Sequence, residues 1–232
     1  MSRVKPNAAG ERARTRLLDA AERLIATHGR SVPLRQITLA AGQRNNSAVT
    51  YHFGSRQGLV EAVWDRRTEL VNRERARMLE EIHNHGQTDD VHALMRAHLL
   101  PMAREIAAHL PSYWARFNEV ALADMPLVFL DDFDADLARY VDREVPMRTL
   151  SYLFHLMRKS VAGGAEPAAG LHVALMVRSV IGALASWERD QERGLVKAAS
   201  LGPFTDGLVE MGAVMLTRPT TGIADAMGLF GS

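Results

Sequence analysis

The sequence predicts an all-α protein: an N-terminal three-helix head carrying a helix-turn-helix, and a larger C-terminal helical body, about nine helices in all. Three observations lead there. Apolar residues recur at helical spacing along nearly the whole chain. No convincing alternating strand or Asn-Gly hairpin occurs. Gly and Pro fall between the periodic runs, where helices should stop and start.

The first helix is expected over Glu11–His28, where Leu17, Leu18, Ala21, Leu24 and Ile25 form one apolar stripe and Gly29 stands just past the end. Pro33 suits the first turn of a short second helix, Leu34–Ala41, which Gly42 ends. Its cap is poor, with Ser31 or Val32 as candidates. A third helix follows from about Asn46, capped by Asn45 or Asn46, and Gly54 with Ser55 closes it. The fourth is long, Gln57–His83. Val60, Val63, Trp64, Val71, Met78 and Ile82 trace its buried side, with Arg66, Arg67, Arg73, Arg75 and Arg77 mostly outside. Later helices are expected over Val91–His109, kinked or split at Pro101, Ser112–Ala123, and Asp131–Arg158, disturbed at Pro146. "AGGAEPAAG" reads as a loop, and Gly170–Arg193 and Leu201–Leu216 complete the series.

Composition narrows the class. The chain has 232 residues, enough for one large domain or two small ones, and an ordinary globular mix of apolar and charged residues. It has no cysteine, which excludes disulfides and cysteine-based metal or redox sites and fits a reducing compartment. The basic N-terminus lacks the apolar run of a signal peptide, and Leu171–Trp187, interrupted by Arg178 and Ser179, is too short to read as a membrane span. A cytoplasmic protein without a membrane partner is the expectation. The net charge of +1 conceals an asymmetry. Residues 1–58 hold ten Arg/Lys against three Asp/Glu, a balance of +7, while the remainder holds 18 against 24, a balance of −6. A basic head on an acidic body suggests that the head meets a polyanion, although basic termini are also common on proteins that bind no nucleic acid.

The second and third helices, joined through Gly42, have helix-turn-helix spacing, which a plain helical hairpin shares. The combined residues are more specific. "LLDAAERLIATHG", "LRQITLAAG" and "AVTYHFGSRQGLVEAVW" resemble the DNA-binding head of the tetracycline-repressor-like (TetR/AcrR) family over about residues 11–65. The strongest piece is Tyr51-His52-Phe53-Gly54-Ser55-Arg56 followed by Leu59. The body matches such proteins only in length and helicity. The resemblance implies a repressor that binds a palindromic double-stranded DNA operator as a homodimer and is released by a small, largely apolar effector.

Residue chemistry assigns roles within the head. Base contacts are expected from Asn45, Asn46, Ser47 and Thr50, because Asn pairs bidentately with adenine and hydroxyls serve several bases. Phosphate contacts are expected from Tyr51, His52 and Arg56, roles the resemblance supports. Arg44 can reach phosphate or a guanine edge. His52 can equally cap a helix end. Val49, Phe53 and Leu59 are expected in the core. Two departures from the family pattern stand out. Gly42 to Tyr51 is one residue longer than the commonest form, which leaves the register of the two asparagines open, and Thr38 replaces a usual Ala. Its hydroxyl can bond back to a carbonyl of its own helix. Arg12, Arg14 and Arg16, with Arg3 and Lys5 upstream, form basic surface that can lie along phosphates. On this reading residues 1–10 are a flexible basic arm, 11–58 the DNA-binding domain with the fourth helix (57–83) as connector, 59–218 the effector-binding and dimerisation domain, and 219–232 a flexible tail.

In the body, Leu175, Ile181, Gly182 and Ala185 on one late helix and Leu208, Met211 and Met215 on the next are candidates for a dimer interface, a four-helix bundle across a two-fold axis. The same stripes can instead fill the core of a single chain. Pocket candidates are Trp114, Phe117 and Phe154 for apolar lining, with His98, Glu119 and His155 for polar contacts. No nucleophile elbow, P-loop, G-x-G-x-x-G or H-E-x-x-H occurs, and the nine histidines show no convincing metal spacing. No catalytic residue, metal or cofactor is expected. A helical interaction dimer or a helical enzyme are the alternatives, and the first leaves the basic head unexplained.

Overall fold

The computed structural model describes residues 8–45, 47–127, 146–161 and 168–218. Among these residues there are nine α-helices, one short 3-10 turn at Ala198–Ser200 and no strand. The helices are α1 (Ala8–His28), α2 (Leu34–Ala40), α3 (Ser47–Phe53), α4 (Arg56–Asn84), α5 (Val91–Ala108), α6 (Trp114–Ala123), α7 (Pro146–Ser160), α8 (Ala168–Glu192) and α9 (Leu201–Thr217). α1 packs on α2, α3, α4 and α6, so the head rests directly on the body. Within the body α5 lies against α4, α7 and α9, and α8 against α6, α7 and α9.

Most expected elements are present, with shifted ends. α1 starts at Ala8, so residues 8–10 of the expected arm are helical. α8 starts at Ala168, taking the end of "AGGAEPAAG" into helix. α7 starts at Pro146, where proline's missing N–H costs nothing. The rest of the expected Asp131–Arg158 helix before that residue lies outside the described residues, as do residues 219–232. At 25 residues α8 is long and apolar enough to cross a membrane, contrary to the reading of Leu171–Trp187 as too short. However, 67% of its apolar window is buried against the protein's other helices.

The largest correction concerns α4. Three of the arginines assigned to its outer face are drawn inward. Arg75 is 4% exposed, and the Arg66 and Arg67 side chains are 27% and 13% exposed. Each has a physical reason. Arg66 and Arg67 both bind Glu22 of α1, itself 2% exposed, and Arg67 also binds Glu105 of α5 at 2.7 Å. Arg75 repairs a helix defect. Pro101 sits inside α5, which runs through it as one helix instead of splitting, and has no N–H to give the carbonyl four residues back. Arg75 Nε donates to that carbonyl, Ala97 O, at 3.2 Å, and Nη2 donates to His98 O at 3.2 Å.

A second long-range device places α6. Its N-cap residue, Tyr113, makes no side-chain cap, and Ser112 Oγ accepts only the first N–H, that of Trp114, at 3.2 Å. The buried carboxylate of Glu188, on α8, accepts from the backbone N–H of Ala115 at 3.1 Å and of Arg116 at 3.0 Å. Ten residues earlier on α8, Arg178 donates to the carbonyls of Leu122, Met125 at 2.8 Å and Pro126 at 3.1 Å. One helix thus holds both ends of its antiparallel neighbour, with negative charge at the N-terminus and positive at the C-terminus, as the dipole favours. Burial raises the Glu188 carboxyl above its ordinary range, against the lowering effect of its hydrogen bonds.

Candidate nucleic-acid interface and body cavity

The head is held by local turn chemistry. α2 ends in a Schellman turn: Gly42, at φ 71°, donates to Leu39 O at 2.9 Å and Gln43 donates to Thr38 O at 2.8 Å. Only glycine takes that φ without strain, so the chain reverses there into α3. Thr38 is 1% exposed and its hydroxyl donates to Arg35 O at 3.0 Å, the back-bond expected of it. Ser55 caps α4 by accepting from Gly58 N–H at 2.9 Å. Gly58 is a requirement the sequence reading missed: a Cβ there would stand 2.1 Å from the backbone oxygen of Phe53. The repeated glycines of "HFGSRQGL" are its only sequence signal.

These turns present one polar face of α3. Ser47, Thr50 and Tyr51 are exposed at i, i+3 and i+4, Tyr51 at 83%, while Val49 is 1% exposed and Ala48 and Phe53 pack inward. Leu59 is fully buried below them. The Arg14 guanidinium lies 5.4 Å from the centre of the Phe53 ring, tying α1 to α3. His52 is half-buried beside Gly10, its ring 4.8 Å from that of Tyr51. Arg44 is exposed at the turn.

Two expected contacts change. Asn45, one of the two expected cap candidates, takes that role rather than standing free as a base contact: its Oδ1 accepts from Ser47 N–H at 3.1 Å and from the Ser47 hydroxyl. Its NH2 group, and the exposure of both side chains, leave it beside the polar face. Asn46 lies outside the described residues. Arg56 is turned into the head, where its Nη2 donates to Arg30 O and to Val32 O at 2.8 Å. The guanidinium therefore fastens α4 to the α1–α2 connection, a role that a phosphate contact does not need.

In the body a cavity of about 90 Å³ lies between α4, α5, α6, α7 and α8. Of the six expected pocket residues, His98, Trp114 and Phe154 line it. Phe117 does not. It is 2% exposed and stacks on Trp114 with ring centres 5.8 Å apart. Glu119 faces Arg189 in a two-point pair at 2.7 and 3.2 Å. His155 is half-buried away from the lining. The polar lining residues missed include Thr68 and Arg75 of α4. Their signal was present: Arg75 stands four residues from both Val71 and Leu79 on the apolar stripe.

Burial, and the Arg75 charge, push the His98 imidazole down to about 3, so it is neutral at physiological pH. Burial pushes Arg75 down to about 10, which leaves it charged there. His98 Nδ1, His98 Nε2 and Thr68 Oγ1 are buried without a hydrogen-bond partner.

The expected dimer residues divide in two. Ile181, Ala185 and Leu208 are 4%, 0% and 5% exposed within a single protomer, and Ile181 lines the cavity, so these three fill the chain's own core. Leu175, Gly182 and Met215 are partly exposed and Met211 is 43% exposed, with Val214 beside it at 50%. No family model matches this chain, and no curated protein matches it.

Proposed function

We propose that this chain is a sequence-specific DNA-binding transcriptional regulator of the tetracycline-repressor-like kind. It acts in the cytoplasm as a repressor, binds a palindromic operator as a homodimer, and is released by a small, largely apolar effector. The observation that carries this reading is the outward face of α3. A 7-residue helix exposes Ser47, Thr50 and an 83% exposed Tyr51 on a head with a charge balance of +7. An exposed phenol can reach phosphate oxygens, and the hydroxyls beside it can meet base edges. Pairing of α8 and α9 across a two-fold axis, through Leu175, Gly182, Met211, Val214 and Met215, would set two such faces about 34–36 Å apart, one DNA turn.

The body would act on the head through α4. Arg66 and Arg67 lock α4 to α1, and the same helix lines the cavity with Trp64, Thr68 and Arg75. A ligand that favours one placement of α4 over the other shifts operator affinity by that difference in its binding energy, and by nothing else.

The reading is tested by selecting genomic fragments on the purified protein and measuring anisotropy against salt. Affinity for the selected fragment should fall linearly in log–log form as salt rises. Arg44→Ala should reduce the salt slope by about 1, and Tyr51→Ala should weaken all sequences alike by about ten-fold, whereas Thr50→Val should change which fragments are preferred. Failure to retain any fragment at low salt sinks the proposal.

A further inference from the structure

We propose that the body cavity binds a small organic monoanion, a carboxylate on a flat apolar body, with its charged end at Arg75, Thr68 and His98. Arg75 is a buried cation. Its three hydrogen bonds go to Ala97 O, His98 O and Asn72 Oδ1, all neutral acceptors. Among the described residues no carboxylate pairs with it. That is unlike Arg67 two turns away, which is held by two carboxylates. Carbonyls satisfy N–H groups but leave the charge itself uncompensated, and a buried guanidinium without a counter-ion is costly. A guanidinium has five N–H donors, so bonds remain to be made.

The neighbours share the same deficit. Thr68 Oγ1 and both His98 ring nitrogens are buried, line the same cavity as Arg75, and have no partner. Each such group left unmade costs about 1–3 kcal/mol. A hydroxyl, an imidazole N–H and a guanidinium around one space are donors seeking one acceptor, which a carboxylate supplies with several lone pairs. Apart from Asn118 the rest of the lining is apolar, with Trp64 and Trp114 at ring centres 5.4 Å apart, Phe154, Leu150 and Val177 among it. The volume of about 90 Å³ limits the occupant to roughly one small ring. Met102 and Met125, on the lining, have the side-chain freedom to widen it.

The proposal rests on the regulator reading for what the ligand does, since an effector is its natural role, but not for whether it binds. Calorimetry on the full chain without DNA therefore tests it, using three ligands of one size: benzoate, benzamide and benzylammonium. Benzoate should bind at least about ten-fold more tightly than the other two, the value of one charge-assisted hydrogen bond. Arg75→Met should remove that advantage and leave benzamide affinity unchanged. Should that variant fail to fold, Thr68→Val is the second probe and should weaken benzoate by about five-fold, a neutral donor's share. The site is overturned if benzoate gives no heat at millimolar concentration, if benzamide or benzylammonium binds as tightly, or if the folded variants keep the preference for benzoate. Benzoate binding by a protein that retains no DNA would sink the regulator reading alone and leave the site standing.

Discussion

The two ends of α4 are built to opposite standards. At the head end the charges are paired, although Arg66 Nε makes no hydrogen bond of its own. Gly58 leaves no room for a Cβ beside the Phe53 carbonyl, Ser55 caps the helix, and Arg66 and Arg67 meet Asp19, Glu22 and Glu105. On the cavity face, Thr68 beside Arg67 has a buried hydroxyl with no partner, and two turns on Arg75 carries a charge with no counter-ion among the described residues. A joint that is over-determined transmits movement, and a site that is under-satisfied responds to what fills it. The contrast gives one helix a rigid end and a responsive one.

The largest expected effect comes from matched truncations of the two arginines. Burial works against the charge of Arg67, yet hydrogen bonds and attraction from Glu22 and Glu105 outweigh it and raise its pKa. Arg67→Met leaves those two carboxylates buried and short of a partner, at a cost of about 3–5 kcal/mol. Arg75→Met leaves only neutral carbonyls, at about 1–2 kcal/mol. Urea denaturation of the pair measures the difference, and equal losses would erase the distinction between the two ends. Gly58→Ala tests the head end in another way. A Cβ 2.1 Å from a backbone oxygen forces the α3–α4 turn to move, which should cost about 3 kcal/mol, the upper range for overpacking, and displace the Tyr51 face. A variant of unchanged stability would show that the turn has slack.

The cavity end should be sensitive to acid. Folded His98 keeps its neutral form down to about 3, whereas in the unfolded chain a histidine takes a proton near pH 6.5. Below that pH the unfolded state binds a proton that the folded state refuses. Stability from this group is therefore complete above about pH 6.5 and is lost as pH falls towards 3, at about 1.4 kcal/mol per pH unit. From pH 7 to pH 5 the loss is about 2 kcal/mol. The charged group facing it is Arg75, which remains protonated throughout that window. His98→Phe should flatten the stability profile by one proton between these pH values, and an identical slope in both proteins would contradict the burial of a neutral ring.

What the sequence shows and hides follows from how far away each cause lies. Helix ends in the head are legible because Gly42, Thr38 and Ser55 act within a few residues of themselves. The exposed face of Ser47, Thr50 and Tyr51 follows from a period of 3.6 once those ends are known. Asn45 was harder, because capping a helix and reading a base call for the same carboxamide, and only placement separates the two. Arg178, Glu188 and Arg75 were hidden for a different reason. Each acts on backbone groups of another helix, Glu188 on Ala115 and Arg75 on the carbonyl that Pro101 orphans. Periodicity reports which side of a helix is apolar. It cannot say whether Ile181 and Ala185 fill their own chain or a partner's.

The smallest effect is the most diagnostic of the cavity end. Thr68→Val exchanges a hydroxyl for a methyl of the same shape. At most positions on a buried helix face that swap breaks a bond, often the threonine's own bond to a carbonyl one turn back. Thr68 Oγ1 has no partner to lose, although its residue is 7% exposed. Stability should therefore hold or rise by up to about 1 kcal/mol, the desolvation cost no longer carried. Thr38→Val at the head end is the control, since Thr38 is also buried but bonded to Arg35 O. It should lose about 1 kcal/mol. If Thr68→Val proved as damaging as Thr38→Val, the hydroxyl would have to be satisfied within the free protein. The cavity end of α4 would then be as complete as the head end.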